Sequence, residues 1–434
     1  MSDVIEQFLK RLHHPFMVGI DLSLERVMRL LSMLGNPHKS LPPVIHVAGT
    51  NGKGSLIAYL HYIFEEAGYR VHRYTSPHLV HFSERIIVQG KEIENDYVEK
   101  IFHHMTPALQ RQQVTFFEAV TVAAFIAFAE KPADILLLET GLGGRLDATN
   151  VVTKPLLTVI TPIDVDHTEF LGDTIEQIAA EKAGIIKKKV PCVIGKQGFS
   201  QVLEILEKTA GKMEVPLFRL GKEWRVDGER YISEEKNIEL TPSLAGEHQY
   251  DNAATAAACI ELITKIYPDK FSISEANIKS GLTKTIWPAR IQRLDSHPYI
   301  AMLPNNTQLW LDGGHNYQGG QMLGKWLKEK SEEYDIYLIC GMIKGKDSKK
   351  FLSMLTPHIK MLCGVTIVNE SNTQAGSIIA SMASDLGTHS LSCESIEKAL
   401  LTISGEIIDG GNRKSLVCIC GSLYLAGRVL EISG

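Results

Sequence analysis

Apolar positions along this chain follow two rhythms. Short unbroken runs, VIHVA at 44–48, DILLLE at 134–139 and LLTVI at 156–160, lack polar alternation. That pattern suits parallel strands covered on both faces. Between them lie helical periods. Residues 24–34 put Val27, Leu30, Leu31 and Leu34 on one face and stop at Gly35 and Pro37. Residues 56–67 read as a helix ending at Gly68, and 117–130 as another, while 70–74 and 85–89 read as strands. Asp173 opens a further helix with an Asp-x-x-Glu capping box that ends at Glu176. The stretch 204–240 is more polar and predicts no definite element. A second series begins near Gln308 with QLWLD, DIYLICG, GVTIV and SLVCICG, separated by helical segments. Before it, 283–294 contains a Trp-Pro pair and no period, which makes it the candidate linker. The alternation predicts an α/β protein with mostly parallel sheets.

Length sharpens this picture. At 434 residues the chain exceeds what one core usually supports, so two domains are expected, 1–290 and 291–434. A net charge of −5 with mixed signs argues against a nucleic-acid or membrane surface as the main partner. Residues 1–14 mix Asp3, Glu6, Lys10 and Arg11 with apolar positions, unlike a signal peptide. The uncharged run 121–129 is too short to span a bilayer and reads as a core helix. Seven cysteines are scattered without a framework spacing, and Cys418 and Cys420 alternate along VCIC as in a buried strand rather than a metal site. These features predict a cytoplasmic protein.

Four clusters carry candidate chemistry. HVAGTNGKGS at 46–55 runs from a strand through glycines to Lys53 and Ser55 at a helix start. Backbone N–H groups, a lysine charge and a helix dipole there suit phosphate. The spacing departs from G-x-x-x-x-G-K-[ST]: two residues separate Gly49 from Gly52, and Gly54 follows Lys53. ETGLGGRLDATN at 139–150 resembles a dinucleotide fingerprint only superficially, because Leu146 occupies the third glycine position. Glu139, at a strand's C-terminal edge, suits Mg²⁺ beside phosphates, although a capping role is equally ordinary. In the third cluster Asp164, Asp166 and His167 crowd together after a strand. The helix beyond them places Lys182 on the side of Ile175, Ile178 and Ala179. Such a lysine either snorkels or is a desolvated, chemically convertible amine. The fourth set is HQYDNAAT at 248–255, WPARIQR at 287–293 and WLDGGHN at 310–316. Singly these are turn or capping residues; together they suggest a site shared between domains.

In this order the motifs resemble the folylpolyglutamate synthase/dihydrofolate synthase family of the Mur-ligase superfamily. The match rests on GTNGKGS, YTSPHL at 74–79, TFFE at 115–118, GLGGRLDATN, DHTEFLGDT, EKAGIIK, GEHQYDNAA, WPARIQ, LDGGHN and GSLYLAG at 421–427, with the N-terminal DLSLERVMRLLSMLGNP similar too. Departures are Gly345 for a frequent Asp, Gly314 for Ala, Tyr317 for Pro and Thr140 for Val.

The resemblance implies a P-loop ATPase-like domain that binds ATP and pterin, followed by a smaller Rossmann-like C-terminal domain. It implies that Thr50, Asn51, Gly52, Lys53, Gly54 and Ser55 bind ATP phosphates, that Ser76, Glu139 and His167 hold Mg²⁺, and that Lys182 is carbamylated. It assigns pteroate contacts to Thr115, Phe116, Phe117, Glu118, Leu146, Asp147 and Ala148, and nucleotide contacts to Asn252, Arg290 and Asp312 with His315 beside them. The implied reaction forms an acyl phosphate from ATP and the carboxylate of dihydropteroate or a reduced folate, which L-glutamate then attacks. Lys53, His167, Lys182 and Arg290 are its expected catalytic residues, and a monomer with small-molecule partners is expected. A single-activity member, a peptidoglycan-precursor ligase and a non-catalytic nucleotide-binding module are the competing readings.

Overall fold

The unbroken apolar runs become parallel strands. The computed structural model describes residues 21–410 and 413–432, so the charged segment 1–14 lies outside the described residues. The first sheet contains β1 (Val44–Ala48), β2 (Val71–Tyr74), β3 (Ile86–Val88), β4 (Lys91–Glu92), β5 (Ile135–Glu139), β6 (Leu157–Ile160), β7 (Cys192–Ile194) and β8 (Leu217–Arg219). Their order is β4-β3-β2-β5-β1-β6-β7-β8. Only β3 and β4 run against their neighbours. Every residue of β1, β5 and β6 is buried, which is why none of these strands alternates. Strand β1 lies between β5 and β6, so the loop that leaves its C-terminal end is flanked by both of their exits.

The helices follow the same logic. Leu24–Met33 buries Val27, Leu30 and Leu31, as the period predicts, and Ser23 caps it. Lys53–Glu66 starts ahead of its apolar run because Gly52, with φ +80°, forms the N-cap. Phe116–Glu130 is apolar all round and buried continuously from Glu118 to Phe128, so it forms the centre of one core beside the sheet. Among the described residues no helix is long and apolar enough to cross a membrane.

Three sequence expectations change in detail. The helix Ile175–Ala183 is capped by Thr174 and Gln177, one residue later than the Asp173 box. Gln177 Oε1 accepts from the N–H groups of both Asp173 and Thr174, which makes glutamine the reciprocating residue. The polar stretch 204–240 holds the end of a helix, Ser200–Lys212, and a three-stranded antiparallel sheet. Its strands are β9 (Trp224–Asp227), β10 (Arg230–Ser233) and β11 (Asn237–Glu239), with Trp224, Tyr231 and Ile238 pointing inward.

The third change is in the second sheet, of order β12-β13-β17-β14-β15-β16. It comprises β12 (Gln292–Arg293), β13 (Thr307–Leu311), β14 (Asp335–Cys340), β15 (Met361–Val365), β16 (His389–Cys393) and β17 (Ser415–Cys420), parallel except for β12. The strand expected at 364–368 occupies Met361–Val365, because Lys360 N–H donates to Ile336 O and starts the ladder early. Cys418 and Cys420 lie buried in β17, as a core strand requires. Among the described residues two compact units divide the chain, 21–243 with 250–285 and 244–249 with 286–432.

Candidate active site

Where β1 ends, four residues turn the chain into the helix Lys53–Glu66. The N–H groups of Thr50 and Asn51 both donate to Pro162 O, at 2.8 and 3.2 Å. Thr50 Oγ1 donates to Asp164 O and accepts from Asp164 N–H, each at 3.0 Å. The loop is therefore fixed to the segment leaving β6. The helix directs the N–H groups of Lys53, Gly54 and Ser55 along its N-terminal axis. Gly49 and Gly52 have φ of +155° and +80°; a Cβ on Gly49 would strike the Thr161 side chain, and one on Gly52 would lie 2.7 Å from Asn252 Oδ1. Both positions thus require glycine, and Asn252 packs directly on the loop.

Charge gathers at the same place. Lys53 Nζ donates to Gly49 O at 3.0 Å and to Thr50 O at 3.3 Å, and stands 3.9 Å from Glu139 Oε1. Lys182 Nζ donates to the same Gly49 carbonyl at 3.0 Å. Lys182 lies on the buried face with Ile178, Ala179 and Ala183, 5% exposed, where the helical spacing places it. Glu139, also 5% exposed, accepts from Ser76 N–H at 3.2 Å. His167 heads the short helix Thr168–Leu171 with φ +52°, and its half-exposed ring lies 3.9 Å from Asp166. No group of three His, Cys, Asp or Glu side chains among the described residues forms a metal cage. The donors present, a carboxylate and a serine hydroxyl, instead suit a hard divalent cation that completes its shell with phosphate oxygens and water.

The loop after β5 is built around a buried carboxylate. Asp147 Oδ2 accepts from Leu142 N–H at 2.8 Å, and Oδ1 accepts from Thr149 N–H at 3.0 Å and Thr149 Oγ1 at 2.5 Å. The Thr149 hydroxyl is in turn 2.8 Å from His46 Nε2 in β1. Asn150 Nδ2 donates to Arg145 O and Gly184 O, while Arg145 pairs with Glu181, so the loop is clamped to the helix Ile175–Ala183. Asp147 thus spends its oxygens inside the loop, and Leu146 and Ala148 flank it.

Burial pushes the Asp147 carboxyl upward, opposed by the Thr149 hydroxyl and backbone N–H groups. It pushes His46 down to about 3, with Lys187 adding repulsion. Between pH 6.5 and that value the unfolded chain binds a proton that folded His46 refuses. His46 therefore contributes stability above pH 6.5 that is lost as pH falls toward 3, at most about 4–5 kcal/mol. Asp147, raised by burial, acts with the opposite sign: its contribution is lost as pH rises through the folded carboxyl's titration. Thermal scans of His46→Gln between pH 7 and 5 should accordingly show a flatter fall in Tm than the parent; an equal fall would assign the acid sensitivity elsewhere.

The segment 115–118 starts the central apolar helix. Thr115 Oγ1 accepts from Glu118 N–H, and Glu118 Oε2 accepts from Thr115 N–H at 2.6 Å. The Arg26 guanidinium lies 3.1 Å from Glu118 Oε1 and also binds Asp21. Glu118 is therefore occupied inside the fold. Phe117 packs on Gly141, where a Cβ would collide with its ring, and this joins the segment to the 141–149 loop. Phe116 is half-buried against Phe82, with the Arg85 guanidinium 5.9 Å from its ring and Arg85 Nε donating to His78 Nδ1 at 2.7 Å. Sequence reasoning missed Arg26, His46, His78, Arg85 and Thr149 as site-building residues. Arg26, His46, His78 and Thr149 stood inside quoted motifs, whereas Arg85 carried no spacing that could have marked it.

In the second unit, Asp312 directly follows β13. Its carboxylate accepts from Ile291 N–H at 2.9 Å and Gly314 N–H at 2.7 Å. Burial raises its pKa, against the pull of Arg290 and these two N–H groups. Arg290 Nη1 donates to Ala289 O, and a Cβ on Gly313 would stand 2.9 Å from that nitrogen. His315 Nδ1 lies 3.0 Å from Gly313 O. Ala289 and Ile291 both have positive φ, so the backbone around Arg290 is held in a sparsely populated shape by Asp312.

A glycine loop feeding a helix, with lysine and carboxylate at adjoining strand ends, defines a P-loop nucleotide-binding α/β protein. Comparison with known proteins agrees and goes further. The Mur ligase middle domain family matches residues 47–260, and the dihydrofolate synthetase C-terminal domain family matches 296–432. A dihydrofolate synthase/folylpolyglutamate synthase of Bacillus subtilis is 36% identical over 79% of this chain and 81% of its own. The structure of Escherichia coli FolC in complex with DHPP and ADP superposes with a TM-score of 0.85 at 28% identity, covering 100% of this chain and 98% of that one. A bifunctional folylpolyglutamate synthase/dihydrofolate synthase of Yersinia pestis, complexed with AMPPNP and Mn ion, gives 0.83 at 26% identity over 99% and 98%. The chain belongs to the dihydrofolate synthase/folylpolyglutamate synthase family. It is accordingly an ATP-using, ADP-forming acid–amino-acid ligase.

Proposed function

We propose that the enzyme transfers the γ-phosphoryl group of ATP to the carboxylate of dihydropteroate and of reduced folates, and that L-glutamate then displaces phosphate. The observation that carries this reading is the convergence of Lys53 and Lys182 on Gly49 O, beside Glu139 and Ser76. In it, the loop Thr50–Ser55 holds the transferred phosphate through the N–H groups of residues 52–55 and the Lys53 ammonium, where positioning and charge neutralisation do most of the work. Asn252 borders that loop, and Arg290, Asp312 and His315 are further nucleotide contacts in this reading. Ser76, Glu139 and His167, with Lys182 as its carbamate, would hold Mg²⁺, which neutralises the phosphate charge that develops during transfer. Phe116 and Phe117 offer aromatic surface for the pterin, and Leu146 to Ala148 border it. Glu118 and Asp147 act one step back, holding these segments in shape. The domain division 1–290 and 291–434 belongs to the same proposal, drawn a few residues beyond the point at which the compact units separate, which puts Arg290 in the second.

The test is ADP release with Mg·ATP and L-glutamate, given dihydropteroate or tetrahydrofolate in parallel. Turnover with both establishes two activities, and turnover with one assigns a single activity. Release independent of acceptor and glutamate would overturn the ligase assignment.

A further inference from the structure

The polar chain His46–Thr149–Asp147 lies wholly inside the first unit and joins two segments that the proposed reaction must hold in register. His46 belongs to β1, three residues before the phosphate loop, and is 0% exposed. Thr149 follows the strip 146–148, is also 0% exposed, and lies 103 residues away in sequence. A hydroxyl carries one proton. Asp147 Oδ1 takes it at 2.5 Å, because that carboxylate already accepts backbone N–H groups from Leu142 and Thr149 and so acts as an acceptor. The Thr149 oxygen can then only accept from His46, whose proton must sit on Nε2. Nδ1 is left as a buried acceptor without a partner, a smaller cost than a buried N–H without one. The charged groups facing this chain are Asp147 and Lys187; Lys187 Nζ approaches Asn150 O at 3.5 Å.

We propose that His46 and Thr149 are positioning residues for the acceptor. They fix the strip 146–148, and through Leu142 the turn that packs on Phe117, against the strand that presents the phosphate loop. The chain is directional, His46 Nε2–H to Thr149 Oγ1–H to Asp147 Oδ1, so each member sets the orientation of the next. Among the described residues the Thr149 side chain bonds only to His46 and Asp147, so it has no alternative anchor. The phosphate loop itself is held independently by Pro162 and Asp164. Loosening the chain should therefore affect the carboxylate substrate rather than ATP. This inference rests on the proposed acceptor site, and its test has one part that does not.

With histidine-selective ¹⁵N labelling, His46 should show a protonated Nε2 and an unprotonated Nδ1, unchanged from pH 8 to pH 5. A proton on Nδ1, or titration in that range, would overturn the chain. In steady-state kinetics Thr149→Val should raise the KM for dihydropteroate about tenfold, the weight of one buried hydrogen bond. The KM for ATP should stay within about twofold. Thr149→Ser, which restores the hydroxyl, should return the acceptor KM to near the parent value. An unchanged acceptor KM, an equal rise in both constants, or a serine variant as poor as valine would reduce Thr149 to a packing residue. If Thr149→Val does not fold, His46→Gln and His46→Leu replace it: glutamine keeps an N–H at the donor position and should preserve the acceptor KM, leucine should not. Should the parent enzyme turn over no acceptor at all, the functional reading falls, while the nitrogen spectrum still decides the chain.

Discussion

Lys53→Ala should lower ADP release by roughly 10³-fold or more while leaving the circular dichroism of the folded protein unchanged. The structure separates these two effects. The Lys53 ammonium bonds only to carbonyls of its own loop, Gly49 and Thr50, and approaches Glu139 at 3.9 Å. The backbone of the loop is held elsewhere, through Pro162 and Asp164, and the helix is set by the Gly52 cap. Removing the ammonium takes a lysine 3.9 Å away from the buried Glu139 carboxylate, which costs about 1–3 kcal/mol and a few degrees of Tm. For the reaction the loss is larger, because this charge faces the phosphate oxygens as the bond breaks in a site walled by buried strands. Lys53→Arg should restore little, since a planar fork cannot replace a point charge enclosed by carbonyls 3.0 and 3.3 Å away. A fully active Lys53→Ala enzyme would remove the phosphate loop from the mechanism.

How far these features could be read from sequence depends on how local their causes are. VIHVA was legible to the residue, because a strand buried on both faces shows itself as an unbroken apolar run. Lys182 was legible as a buried-side lysine because helical spacing alone determines which face it takes. The glycine loop was legible because Gly49 and Gly52 serve conformations that few other residues adopt. The remainder was set by contacts distant in sequence. Glu118 looked like a ligand in TFFE, but Arg26, 92 residues earlier, and the helix cap claim its oxygens. Asp147 looked similar in RLDATN, yet Thr149 and Leu142 turn it inward. The small sheet 224–239 was hidden because its strands are short and half exposed, with one inward aromatic each in β9 and β10. The early start of β15 was hidden too: Gly364, where the expected strand opened, lies inside it, at the position where the helix beginning at Gly376 approaches the strand too closely for any side chain.

Depleting dissolved CO₂ should slow the enzyme, bicarbonate should restore it, and Lys182→Ala should cost about 10²–10³-fold in ADP release. Lys182 and Lys53 each place an ammonium 3.0 Å from the single carbonyl of Gly49, and Lys182 does so at 5% exposure on an apolar helix face. Two like charges sharing one acceptor in a low-dielectric setting oppose each other. The Lys182 ammonium first loses one proton; the neutral amine then attacks CO₂, forming one N–C bond and releasing a second proton. The side chain changes from +1 to −1, and repulsion from Lys53 becomes attraction. The product would also supply carboxylate oxygens beside the Gly49 carbonyl, as oxygen donors for a hard cation. Alanine removes both the charge and the oxygens, so formate or acetate, small enough to enter the space left by the lysine stem, should recover part of the lost rate. A ¹³C resonance from labelled bicarbonate, present in the parent protein and missing from Lys182→Ala, would identify the carbamate directly. If Lys182→Ala keeps its rate and the parent is indifferent to CO₂, Lys182 is a structural cation tied to the loop through Gly49, and the divalent ion is held without it.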